Sequence, residues 1–408
     1  MADIVVNISR QEALVSQVGF GVALIVANTQ HTYTEYTSLT SLESDFATTT
    51  TVYKMAQGLL AQDVSPSRFA VAGIAYTETN NVGAETLTNT SGNIYSFANQ
   101  EINVDSITGL SDGGGAIDDA DIQTIDYAAG TIEFTGARTG SVTVTGYTYN
   151  SDAAGFTTLL NQLVTDNRDF YLVLQEAENY TAQKVVSDWA ATQIKIHFIR
   201  TQVLASAYPV SLGNRTAVYY HLGTDEFADA LVAGVGLPKD PGSLTWANQV
   251  VTGATANTLT GTVISDLTTG RFNTIISMFG RTITNNGFLQ GTLFIDQTRT
   301  QDYVKITLET NIAELIIIND KIAYDDTGIA QVVNAVDKTL NEATDDGIIL
   351  RNAIGQGEFS ITSVPRANIS DDDITSRTIT TVEFEYVEAG AIENATITGR
   401  IVRALQEV

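Results

Sequence analysis

The chain has 408 residues, 43% of them hydrophobic, with 47 acidic against 21 basic side chains and a formal net charge of −26. That length supports two or three domains with a sizeable core, and so acidic a surface repels phosphate backbones and anionic lipid, which argues against direct nucleic-acid or membrane binding. The absence of cysteine excludes disulfides and thiolate metal sites, and only His31, His197 and His221 offer imidazole chemistry.

The first residues, "ADIVVNISRQ", lack the basic stretch, apolar core and cleavage site of a secretory leader, so a soluble chain folded in a cytoplasm is expected. They read instead as a strand, with Ile4, Val6 and Ile8 on one face and Val5, Asn7 and Ser9 on the other. "VALIVA" (22–27) is too short to span a bilayer and suits a strand buried on both faces. "TTVYKMAQGLLAQ" places Val52, Met55, Ala56, Leu59 and Leu60 on one helical stripe. Strand "FAVAGIAY" (69–76), helix "FTTLLNQLV" (156–164), strand "FYLVL" (170–174) and helix "AQKVVSDWAA" (182–191) follow. Strands at 194–199 and 216–220 and a helix at 225–234 continue the alternation, which implies an α/β domain (21–79 and 153–250) with a largely parallel sheet.

Residues 80–152 break that rhythm. They are rich in Asn, Thr, Gly and Asp and alternate in short bursts, such as Ile132 with Phe134 and Val142 with Val144. An antiparallel β module inserted into the α/β domain is expected there, at its surface. From 251 to 390 an α+β domain is expected. One helix carries Val304, Leu308, Ile312 and Leu315; a second carries Val332, Val336 and Leu340, with Thr327 as N-cap and Gly347 as the stop after its end. "TVEFEYV" then alternates Val382, Phe384 and Tyr386 against Glu383 and Glu385. In the final stretch, "NATITGRIVRAL", Ile397, Gly399 and Ile401 share one face of a last strand.

Motifs for chemistry are scarce. There is no phosphate-cradling loop, nucleophile elbow or zinc-protease helix. "GVGLPK" (234–239) reads as a helix end and turn, because Pro238 and a missing third glycine spoil a dinucleotide fingerprint. His221 beside Asp225 and Glu226 is either an acid–base pair or a strand-end histidine near a helix start. Asp112, Asp118, Asp119 and Asp121 offer oxygen ligands for Ca²⁺, or simply form surface turns. "SDDDI" (370–374) reads as a solvated loop. No catalytic residue, cofactor or metal is assigned.

Strands at both extreme ends leave unpaired N–H and C=O groups. Either the two ends pair with each other within one molecule, or each adds to the sheet of a neighbouring copy, which builds a helical or layered filament. Five stretches resemble contractile-tail sheath proteins of bacteriophages and phage-tail-like particles. They are "TVYKMAQGLLAQDVSPSRFAVAGI", "RTAVYYHLGTDEFADALVAG", "PGSLTWANQVVTG", "GFLQGTLFIDQTRTQDYVKITLETNI" and "KIAYDDTGIAQVVNAVDKTL", in that order along the chain. The resemblance spans most of 1–76 and 153–408, and 80–152 looks like a variable decoration. It implies a homo-oligomer of hexameric rings stacked around an inner tail tube, joined to baseplate and tail terminator proteins and able to contract. It also implies a particle component, phage tail or tailocin, assembled in a host bacterial cytoplasm. In that family the terminal arms join the C-terminal sheets of neighbours. The matching positions are an N-terminal arm (1–20, strand 3–9) and a C-terminal arm (391–408, strand 395–404), received by 382–387. Another self-assembling virion or lattice protein, or an α/β enzyme without a recognisable motif, remains the alternative.

Overall fold

The computed structural model describes residues 17–76, 80–100, 102–113, 115–127, 129–149 and 153–393. Its centre is an eight-stranded sheet. In chain order the strands are β1 (Ala23–Ala27), β2 (His31–Tyr36), β3 (Phe69–Gly73), β4 (Leu172–Gln175), β5 (Ile196–Thr201), β6 (Thr216–Tyr220), β7 (Asn273–Met278) and β8 (Arg281–Thr284). In space they run β8-β7-β6-β5-β4-β1-β3-β2. Pairing is parallel from β3 through β7. The outermost strands, β2 and β8, are antiparallel to their neighbours. Every residue of β1, β3 and β6 is buried, as unbroken apolar runs require in a sheet covered on both faces.

Helices α1 (Thr51–Leu60) and α4 (Ala228–Gly236) cover one face; α2 (Ala154–Thr165) and α3 (Tyr180–Ala191) cover the other. The stripe read from the sequence is the buried one, with Val52, Met55, Ala56 and Leu59 of α1 inside. Thr50 and Asn179 cap α1 and α3 by accepting from Tyr53 and Ala182 N–H. Helix α4 is buried throughout and approaches α1 so closely that a Cβ on Gly234 would lie 2.2 Å from the Leu59 carbonyl oxygen. The change of pattern at 250 does not end the sheet. Helix α5 (Gly261–Thr269) leads into β7, and β7 and β8 close the sheet beyond β6. In "FNTIISM" the strand opens on two polar residues, Asn273 and Thr274, that are fully buried, and its far end is exposed at Met278, so it shows no unbroken apolar run and hides a strand that belongs to the earlier layer.

Between β3 and α2 the chain leaves the sheet. Asn80–Val82 and Tyr147–Tyr149 pair antiparallel, and beyond this neck two four-stranded sheets share a core of Leu87, Tyr95, Phe97, Ile132, Phe134 and Val142. "SVTVTGYTY" contains two strands. Val142–Val144 pairs with Glu85–Thr86 and Ser111–Asp112, whereas Tyr147–Tyr149 changes partner to Asn80–Val82.

The C-terminal part consists of α6 (Ile295–Ile318), α7 (Asp326–Asp345), β9 (Phe359–Ser363) and β10 (Val382–Tyr386). Helix α6 begins well before the stripe starting at Val304. Its first turns bury Ile295, Thr298, Arg299 and Asp302 in the α/β part, so they carry no two-faced period. The N-cap of α7 is Asp325, which accepts from Gly328 N–H, and not Thr327, which lies inside the helix. Gly347, at φ +77°, does stop it. "SDDDI" is no loop. Ser370 caps a short helix, Asp371–Ser376, whose three aspartates occupy the first turn, where the helix dipole favours them.

Candidate assembly interface

In an open α/β sheet, ligand sites lie beyond the carboxyl ends of the strands where strand order reverses, here between β1 and β4. That crest is closed by its own hydrogen bonds. The Glu176 carboxylate accepts from Asn28 N–H at 2.7 Å, and burial holds its pKa above the usual carboxylate range. His221 Nδ1 accepts from Gly223 N–H (3.0 Å) and its Nε2–H donates to Thr255 O (2.9 Å). Glu226 accepts from Thr255 N–H and Oγ1 and also lies 3.5 Å from His221 Nε2, while Asp225 pairs with Lys54. Both ring nitrogens of His221 are therefore engaged, which supports the strand-end histidine. His197 sits in β5 with no exposed surface, and burial pushes its pKa down to about 3, so it is a neutral core residue.

The aspartate run in the small β region is organised by a cation already in the chain. Arg138 reaches Asp121 at 3.3 Å and Asp112 at 3.9 Å, and stacks 4.5 Å over Phe134. Asp118 caps the turn Asp119–Asp121. Among the described residues no group of three or more acidic or histidine side chains is arranged to hold a metal ion.

The chemistry that remains is that of surfaces and joints. Helix α6 joins the two parts of the molecule. Arg299 donates to the carbonyls of Gly236 (2.8 Å), Leu237 (3.0 Å) and Lys239 (2.8 Å), at the end of α4 where the helical hydrogen-bond pattern stops. Burial pushes its guanidinium pKa down to about 10. One turn on, Asp302 accepts from the Tyr171 phenol at 2.7 Å and pairs with Arg215. Ile295 and Ile306 of α6 belong to the α/β core, while Val304 and Leu308 pack on Val336 and Leu340 of α7. A single continuous helix thus serves both cores.

Strands β9 and β10 lie on the α6–α7 pair in antiparallel register, Phe359 opposite Tyr386, Ile361 opposite Phe384 and Ser363 opposite Val382. Their apolar side chains face the helices and are half-buried, while Ser360, Thr362, Glu383 and Glu385 face outward. Burial raises the Tyr386 phenol above its ordinary pKa, with nearby Glu388 adding to it. Among the described residues neither strand has a second partner, so this two-stranded sheet has two open edges.

Of the residues singled out from the sequence, Val382, Phe384 and Tyr386 come together on β10, in the alternation expected. Ile4, Val5, Val6, Ile8, Ile397, Gly399 and Ile401 lie outside the described residues. Sequence reasoning missed β9, although Phe359 and Ile361 alternate in "EFSITS" as plainly as the residues of β10. It also missed Arg299 and Asp302, for which no local signal exists.

No family model and no curated protein matches the chain. Solved structures do. A chain of the anti-feeding prophage helical sheath in its contracted state matches with a TM-score of 0.58 and 12% identity, over 99% of this chain and 100% of that one. A chain of the PVC sheath complex of an extracellular contractile injection system, also contracted, matches with a TM-score of 0.59 and 10% identity, over 98% of each. The sheath tail protein from Desulfitobacterium hafniense matches with a TM-score of 0.50 and 11% identity, over 95% of this chain and 99% of that one. At such identities the likeness is one of fold, and it runs essentially from end to end: the chain has the fold of contractile tail-sheath proteins.

Proposed function

We propose that this chain is the repeating subunit of a contractile sheath. It polymerises as stacked hexameric rings around an inner tube, attaches to baseplate and terminator proteins, and contracts to drive the tube through a cell envelope. The particle, phage tail or tailocin, is assembled in a bacterial cytoplasm. One observation carries the reading: a two-stranded sheet whose two edges are open among the described residues sits at the C-terminal side of a fold that matches contracted-sheath chains over 98–99% of its length. Residues 3–9 and 395–404 are the strands that fill those edges, supplied by neighbouring copies, with Val382, Phe384 and Tyr386 in the receiving strand. Each backbone hydrogen bond so formed contributes about 0.5–1.5 kcal/mol, and burying Ile397 or Ile401 roughly 1.5–3 kcal/mol.

The other parts take their roles from that frame. Residues 1–16 and 391–408 are arms, whereas Phe20, expected in the first arm, lies in the α/β core, and 17–79 with 153–284 form the α/β domain. Residues 80–152 form an outward module, and the part from α6 to 390 is the sheath domain proper, because β7 and β8 belong to the α/β sheet. Helix α6, packed in both cores, holds the α/β and C-terminal parts together, so shape change falls on the linkers. The closed crest of the sheet supports a structural rather than catalytic role. Negative-stain microscopy of the purified protein tests the proposal. Striated tubes are the expected result, flat sheets would point to a lattice protein, and compact particles alone would overturn it.

A further inference from the structure

The chain beyond β10 is tied down twice before it leaves the described residues. Past Tyr386, Val387 N–H donates to Glu358 O (2.9 Å) and Ala389 N–H to Ile348 O (2.9 Å). The Glu388 carboxylate accepts from Gln301 (2.6 Å) and Gln297 (3.3 Å) of α6. Gly390, at φ +65°, then turns the chain. Three residues later Glu393 is caught on the α/β part. Its carboxylate accepts from Thr245 Oγ1 at 2.5 Å and its carbonyl oxygen from Asn248 Nδ2 at 3.2 Å. The catching loop is itself fixed to β8, through Asn248 N–H to Thr284 O and Thr284 N–H to Gln249 O, both at 2.9 Å.

Little else holds this strap. Beneath it lies a cavity of about 230 Å³ lined by Thr245, Asp296, Thr300, Ile348 and Glu388, and Ile392 is 89% exposed. A segment that gains almost no burial between its two ends is held for the sake of where it points. The competitor is close at hand. A strand following β10 through a tight turn is the nearest partner for the open edge of β10, because a hairpin needs only two to five linking residues. A tethered strand also acts at an effective concentration in the millimolar range. With Ile397 and Ile401 alternating beyond Gly390, the arm would fold back and fill that edge from within the same chain.

The geometry points to a clasp against self-pairing: Thr245 and Asn248 hold Glu393 away from β10, so that both the edge of β10 and the arm beyond residue 393 stay free for other copies of this chain. The inference rests on the strand-exchange reading above, and its test separates the two. Thr245→Val combined with Asn248→Gly removes both donors, and glycine keeps the backbone at residue 248, where φ is +58°. Glu393→Ala is a second variant, on the strap itself, that leaves the α/β core untouched. Amide hydrogen exchange of dilute monomer is compared with tube yield. In the double variant exchange at 395–401 is expected to slow by at least about tenfold relative to the unaltered chain, at every dilution, while tube yield falls. Glu393→Ala, which keeps the backbone carbonyl that Asn248 holds, should shift both in the same direction but by less. Unchanged exchange in both variants, whatever the tube yield, overturns the clasp. Slow exchange already present in the unaltered monomer overturns it equally. If the unaltered chain forms no tubes, strand exchange falls, and the contrast in monomer exchange still decides the clasp.

Discussion

Where α6 enters the α/β core, a buried arginine serves three carbonyls and a buried aspartate takes a phenol and a second arginine. At β9 and β10, on the same helix pair, two strands lie half-exposed with no further strand paired to either edge among the described residues. The first region has spent its polar groups inside the molecule, and buried pairs of this kind fix one geometry rather than add much stability. The second keeps its polar groups available, a condition that proteins usually suppress because an open edge invites another chain. Side by side, they separate what holds the subunit from what joins subunits. Substitutions in the first should move melting, and those in the second should move assembly.

The largest effect is expected from Arg299→Ala. It strips the donors from the end of α4 and should lower monomer stability by about 3–5 kcal/mol, read by thermal or urea unfolding. Arg299→Lys should rescue it only in part, because one ammonium cannot reach three carbonyls in the fork geometry of a guanidinium. Loss of assembly without loss of stability in Arg299→Ala would break the division between the two regions.

A smaller effect of opposite sign is expected at Asp229, in the first turn of α4. Its side chain is 1% exposed, and Oδ1 has no partner among the described residues. Burial raises its carboxyl from 3.8 to about 6. The folded state therefore holds the proton more tightly than the unfolded chain. The resulting stability is fully present below the ordinary carboxyl range and is lost as pH rises through about 6. Asp229→Asn should match the unaltered chain near pH 4 and exceed it at pH 8 by on the order of 2 kcal/mol, read as melting temperature against pH. Parallel pH profiles for the two proteins would contradict it.

The smallest effect on the monomer, and the sharpest on assembly, is expected from truncation after Gly390. The monomer loses the two hydrogen bonds of Glu393, about 1 kcal/mol, while tube formation should be abolished. Tubes of normal yield from the truncated chain would remove the C-terminal arm from the account.

How far these regions could be read in advance follows from the reach of the interactions. The strands and helices of the α/β layer announced themselves, because burial on both faces writes unbroken apolar runs such as "VALIVA" and stripes such as Val52, Met55 and Leu59. The α7 stop at Gly347 and the alternation of β10 were equally local. What could not be read was set by partners far away in sequence. The start of α6 shows no stripe because the α/β core surrounds it. Strand β7 was passed over because its buried Asn273 and Thr274, satisfied by Phe288 and Asn257 from other segments, break the apolar run. Arg138 settles the aspartate run from outside it. The clasp on Glu393 depends on Thr245 and Asn248, from a loop that nothing in the final segment hints at.

Because the chain contains no cysteine, single introduced thiols report cleanly on who pairs with whom. One protein carries Glu385→Cys on the exposed face of β10, and a second carries Thr398→Cys in the C-terminal arm. The two are mixed under assembly conditions and treated with a short bifunctional maleimide. Strand exchange between copies predicts a covalent dimer containing one chain of each kind, in high yield and only when tubes form. Absence of that dimer, with efficient closure only inside a single chain that carries both thiols, would show that the arm returns to its own sheet and would contradict the account.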